Sequence, residues 1–300
     1  MRPAFSVLFL TTLIGAGQGL FIALFFCELL APTLATPNFL IGGTAIVEVL
    51  CGLGLIASFF HLGHPERAWR AATMWRTSWL SREVIALPAF MGAAFAYGVA
   101  HYSGLGYTLT LGVIGVVLAL TLFICTGMIY AAIKVLREWA HPLTLVNFTV
   151  LGTASGMTLA AAYAGFAAPE LAAALAQAAF ALTLFGLFTR SVALLRNARL
   201  SPASTMQSAL GIRHPKIVQK SQGAMGGSYN TREYFHGKSI GFVRAIVPTF
   251  LISTFFLPLA LVYALPLLAF IVQYGGLLAE RWFFFAEARH PQNLYYQGKS

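Results

Sequence analysis

Charge is scarce in this 300-residue chain. Only 9% of residues are Asp, Glu, Lys or Arg, against 58% hydrophobic. A soluble domain carries about 25% charged residues. So little charge cannot cover a water-facing surface, which excludes an ordinary soluble fold and makes lipid the solvent. Cysteine is scarce too. Cys27, Cys51 and Cys125 all lie inside apolar runs and none belongs to a CxxC pair. Disulfides and iron–sulfur ligation therefore have no support, and each cysteine reads as a small buried residue. Histidine is absent from the middle of every apolar run. A haem held by axial histidines on two facing helices has no ligands here. Any electron-carrying metal would have to sit in another subunit.

What is present is long apolar segments, best counted in membrane spans of about 20 residues. Eight are expected: 5–30, 37–60, 81–101, 105–132, 142–166, 170–195, 240–257 and 259–280. The first is well beyond the ~7–15-residue apolar core of a signal peptide and is taken as a span. The seventh and eighth are divided at a short turn near Pro258, in a region punctuated by Pro248, Pro258 and Pro266. The expected fold is an all-α polytopic integral membrane protein, one membrane domain over 1–300, with eight transmembrane helices in two four-helix bundles.

The 19 Lys and Arg residues are distributed one-sidedly. Loops 31–36, 102–104, 167–169 and the turn near Pro258 contain none. Arg2, the 61–82 loop, the 133–141 turn, the 196–239 loop and the C-terminal tail, with the span ends beside them, hold all of them. Trp69, Trp75, Trp79, Trp139 and Trp282 fall on that side as well. The positive-inside rule makes this face cytoplasmic, with an interfacial aromatic belt and both termini inside.

The densest chemistry is His61-Leu62-Gly63-His64-Pro65-Glu66-Arg67 and the run from Trp69 to Glu83. His61 ends the second span at the interface. Pro65 suits the first turn of a new helix. Ala68, Ala72, Trp75 and Trp79 recur as one apolar stripe, the pattern of a short amphipathic helix lying in the interface plane. Ser81 offers an N-cap for the third span, and Glu83 suits the positive end of its dipole. A quinone site needs hydrogen-bond partners for two carbonyls, a proton carrier near neutral pH and apolar walls. Histidine is the natural carrier, and His61 stands beside Trp and Arg. His141, in the basic turn 133–141, could line the same pocket from another helix.

Two polar residues lie deeper. Gln18 sits in Gly15-Ala16-Gly17-Gln18-Gly19, a small-residue run that lets a helix or a flat ring approach closely. Taken alone, Gln18 is more simply an interhelical hydrogen bond. Glu48 is mid-way along the second span, the only carboxylate expected at that depth, and is a proton-handling candidate. Glu28 reads as interfacial. The 196–239 loop is the one large extramembrane piece. It carries seven cations against Glu233 and interleaves glycines with aromatics. Lipid headgroups would explain the cations but not the aromatics. Arg213, Lys216, Tyr229, Arg232 and Tyr234 are therefore expected to dock a partner protein. No phosphate-loop pattern or other nucleic-acid signal accompanies the charge.

The run His61-Leu62-Gly63-x-Pro65-x-Arg67-Ala68, then Leu80-Ser81-x-Glu83, resembles the membrane anchor subunits of the dimethyl sulfoxide reductase family. The Gly17-Gln18 step and the eight-span count agree with it. The resemblance implies a chain without its own metal. It implies a bound menaquinone or ubiquinone, an iron–sulfur subunit and a molybdopterin catalytic subunit as partners, and the bacterial inner membrane. It implies His61 as the quinol-site histidine, with Arg67, Gln18, His64, Trp69, Arg82 and Glu83 around the ring. Position 64 is His where the best-known pattern has Ser, and positions 70 and 82 are Arg instead of Asn, so the rim is more basic. The long 196–239 loop looks more like the anchors of membrane-bound sulfite dehydrogenases, which reduce quinone. An anchor that oxidises menaquinol for an S- or N-oxide reductase is the alternative. A secondary transporter is a further one, but the repeats and midplane polar groups of transporters are not evident.

Overall fold

The computed structural model describes residues 4–60, 62–201, 205–217 and 238–289. Helices α1 to α6 are Phe5–Leu30, Pro37–Phe59, Trp79–Tyr102, Thr108–Ala131, Pro142–Ala167 and Pro169–Ala198. Helix α7 is Ile240–Leu261 and α8 is Pro266–Glu287. Helices α1 to α7 are long and apolar enough to cross a membrane. Helix α8 has the length, at 22 residues, but Gln273, Glu280 and Arg281 lower its hydropathy. The described residues thus show seven spans by composition, where eight were expected.

Local signals explain the boundaries. Proline opens α2, α5, α6 and α8, a position where its missing N–H is no loss. Thr36 caps α2 by accepting from Phe39 N. Ser78, not Ser81, caps α3, accepting from Ser81 N at 3.3 Å. Ser81 is buried one turn inside, because the helix starts two residues earlier than expected. The turn expected near Pro258 is also displaced. The chain stays helical through a π turn at Ile252–Phe256 and bends back only at 262–265. Pro258 cannot donate to the carbonyl of Thr254. Gln273 of α8 supplies a donor instead, with Nε2 at 3.4 Å from Thr254 O. A neighbouring helix thus satisfies the group that proline frees, as a membrane interior demands.

Helix α1 is central, packed on α2, α4, α5 and α8. The helices α1–α2, α2–α3, α3–α4 and α4–α1 form adjoining pairs, and α5 carries both α6 and α8. The small-residue run of α1 admits a helix, not a ring. A Cβ on Gly19 would meet Gly152 O of α5 at 2.7 Å, and one on Gly156 would meet Gly19 C at 2.3 Å. Backbone contact this close is how helices associate in lipid, where no hydrophobic drive separates helix from solvent. It fixes α5, and with it Phe148 and Asn147, against the helix that carries Gln18.

Candidate functional site

The rim loop comes first. His61 lies outside the described residues, as do Tyr229, Arg232 and Tyr234. Pro65–Ala72 forms a 3-10 helix with no buried residue, shorter than the amphipathic helix whose stripe was expected to reach Trp79, and turns follow it. Trp69 is 66% exposed. His64 Nδ1 lies 3.0 Å from Glu66 Oε1, and Arg67 Nε 3.6 Å from the same oxygen, all of them exposed. Arg82 donates to Trp75 O at 2.9 Å and Arg76 O at 2.8 Å, and covers the Trp79 ring at 4.2 Å. It ties the loop to the start of α3. The loop's cations and rings therefore satisfy one another at the surface.

Beneath it, two of the expected residues meet. Gln18 of α1 and Glu83 of α3 line one cleft with Leu10, Thr11, Ile14, Phe123, Thr126 and Phe148. Thr126 Oγ1 of α4 donates a short hydrogen bond to Glu83 Oε1. Gln18 Nε2 donates to Ala119 O at 2.6 Å, the interhelical bond expected as its simpler role, yet its side chain still faces the cleft. The space is about 270 Å³ with its open mouth, and its interior admits about one water molecule. An amide, a carboxyl and a hydroxyl between aromatic and aliphatic walls match what a quinone headgroup requires. Entry of a ring would need Phe123 or Phe148 to turn aside.

A second polar group lies across Phe148. Arg190 Nε of α6 is 2.7 Å from Glu280 Oε1 of α8, and Arg281 Nη1 is 3.3 Å from Glu280 Oε2. All three side chains are at most 5% exposed. The Arg281 guanidinium rests 3.7 Å from the centre of the Phe148 ring. Thr189 donates to Asn147 at 2.8 Å alongside. His141 lines this chamber and not the Gln18–Glu83 cleft. Its Nδ1 accepts from Leu143 N and caps α5, and partial burial with Arg196 nearby holds the imidazole below its ordinary pKa.

These acids correct two expectations. Glu48 is not the only deep carboxylate. Its own Oε1 is shielded and has no hydrogen-bond partner among the described residues, but Glu280 is more fully enclosed. Glu28 is not merely interfacial. It accepts from Tyr97 OH and Thr108 Oγ1, each at 2.6 Å, and lies 3.4 Å from His101 Nε2. That cluster joins α1, α3 and α4 at the face without cations. The sequence signal for Glu280-Arg281 was an acid–base pair ending an apolar run, which reads equally well as two side chains reaching for water. In the 196–239 loop, Arg213 and Lys216 are exposed, next to a short helix at Met206–Leu210.

A bundle of apolar helices with cations on one face and a hydrogen-bonding cleft beneath that face defines a membrane anchor. The chain belongs to the family described as DMSO reductase anchor subunit (DmsC), whose model matches residues 1–285. It is therefore an anchor subunit of a multi-subunit oxidoreductase of that family. It is 51% identical to the C subunit of the sulfite dehydrogenase of Allochromatium vinosum, with 99% of each chain covered.

Proposed function

We propose that this chain is the quinone-reactive anchor of a sulfite-oxidising molybdopterin enzyme, passing electrons from an iron–sulfur partner to the quinone pool. The observation that carries the proposal is the meeting of Gln18 and Glu83, from separate helices, in one cleft under the loop that His61 begins. Family membership and the 51% identical relative support it. A quinone held there takes two electrons and two protons to become quinol. Glu83, steadied by Thr126, holds a proton beside one carbonyl. Gln18 orients the ring through its amide, and Phe123 and Phe148 exclude bulk water. His61, the histidine that the family resemblance assigns to the quinone, serves the other carbonyl. Arg67, His64, Trp69 and Arg82 shape the entrance from the loop. Glu48 lines neither polar cavity and is the candidate for proton handling apart from them. Helix α8 is the eighth span.

The iron–sulfur subunit docks on the basic face, through Arg213, Lys216, Tyr229, Arg232 and Tyr234. By the positive-inside rule that face and both termini are cytoplasmic, in a bacterial inner membrane. Cytoplasmic sulfite oxidation with quinone reduction suits this geometry. If the basic face were external, the menaquinol-oxidising alternative would lead. His61→Ala and Glu83→Gln should each lower sulfite-driven reduction of a quinone analogue by about a hundredfold, the scale of a lost proton donor, with the complex still assembled. Turnover at the wild-type rate in both would remove the cleft from the mechanism. Sidedness is tested by Ser103→Cys and Ser208→Cys in a background lacking native cysteines. A membrane-impermeant thiol reagent should label the first in whole cells and the second only after lysis. The reverse pattern would place the partner enzyme outside.

A further inference from the structure

We infer that the chamber around Arg190, Glu280 and Arg281 is a hydrated inlet that delivers protons from the basic face to the Gln18–Glu83 cleft. The inference rests on the quinone reading above and adds the route by which Glu83 is re-protonated.

Three observations carry it. First, the chamber is built for water. Two guanidiniums share one carboxylate, and the Arg190 Nη2 atom is buried without a hydrogen-bond partner among the described residues. A buried guanidinium N–H left bare is costly, and water is the usual partner of such a group. The space is about 320 Å³ with its mouth, and the interior takes about one water at a time. Second, its mouth is on the side where the quinone must collect protons, between Glu138, His141 and Arg196. Third, its inner wall is Phe148, whose ring also lines the Glu83 cleft. One aromatic ring, covered by Arg281 on the chamber side, stands between the two polar spaces.

The titratable and charged groups facing the chamber divide the work. Glu280 sits between Arg190 and Arg281, and the three together order water in the chamber. Glu138 and Arg196 flank the mouth, and Glu287 stands within electrostatic reach of Arg190. His141 is the group there that can take a proton from bulk water and release it inward. For each quinone reduced, two electrons come from the iron–sulfur partner. One proton comes through His61 and one through Glu83, and the chamber restores the second.

Ala193 of α6 is buried in the chamber wall and provides a plug that leaves every polar group in place. With the assembled complex in membranes, Ala193→Leu should slow sulfite-driven reduction of a quinone analogue about tenfold at saturating quinone. That is less than the roughly hundredfold loss of a proton donor, because the donor remains and only its supply is narrowed. The KM for quinone should stay the same, the rate should fall more steeply as pH rises, and the solvent deuterium isotope effect should grow. A second variant reads hydration without activity. Ala193→Cys, in a background without native cysteines, should be alkylated by iodoacetamide, because the reactive thiolate needs water. Phe188→Cys, 64% exposed on the same helix and facing lipid, should not be. Unchanged kinetics in Ala193→Leu, a change confined to KM, or an inert Ala193→Cys would each make the cluster purely structural. A wild-type complex that fails to reduce quinone would overturn the quinone reading and this proposal with it. Alkylation of Ala193→Cys would then still report the water, which separates the two failures.

Discussion

The loop 62–78 and the interior of the bundle hold the same residue types in opposite circumstances. In the loop, Glu66 faces His64 and Arg67 in the open, and arginines lie over exposed tryptophans. In the interior, Glu280 faces Arg190 and Arg281 with almost no exposure. Water screens the first set, so its many contacts contribute little. The second set is shut off from bulk water, and each member depends on the others. Density of polar residues in the sequence is thus a poor guide to where they matter. A membrane protein places polar side chains freely at the interface and sparingly inside, and the sparing ones carry function or hold helices together.

Two glutamates separate these regions most sharply. Glu280→Ala leaves two guanidiniums buried without a counter-charge and should cost about 3–5 kcal/mol, enough to lower the amount of assembled complex. Glu66→Ala should change stability by less than about 1 kcal/mol. Thermal unfolding of the detergent-solubilised complex reads both, and equal effects would dissolve the distinction between loop and interior. A smaller and salt-dependent effect is expected on the 196–239 loop. Reversing charge at Arg213, Lys216 and Arg232 should release the iron–sulfur subunit on gel filtration, most completely at low salt where the imposed repulsion is least screened, because the proposed docking rests on complementary charge. A complex that stays intact would leave those cations to the lipid headgroups.

Much of the frame was legible from hydropathy and proline. The spans expected from 37, 142 and 170 start at Pro37, Pro142 and Pro169 in the structure, whereas the last, expected from 259, starts at Pro266. The division between α7 and α8 was misplaced because Pro258 looks like a turn residue. The π turn before it and the Gln273 side chain from the next helix keep it helical, and that compensation comes from tertiary contact. Gln18 and Glu83 were legible as candidates, though not as neighbours, since three helices must pack before they share a cleft. The Arg190–Glu280–Arg281 cluster was not legible. Charges near a span end ordinarily reach the interface. These are enclosed because the glycines of α1 draw α5 inward, and α5 brings Phe148 beneath Arg281.

The quinone ring is proposed to bind inside the cleft and not on the 62–78 loop. A photoreactive quinone analogue, irradiated on the assembled complex and mapped by peptide mass, separates the two places directly. Adducts are expected on α1 between Leu10 and Gln18, and on α4 between Phe123 and Thr126, both lost in the presence of excess unlabelled quinone. Adducts confined to the 62–78 loop, with none on α1 or α4, would contradict the claim.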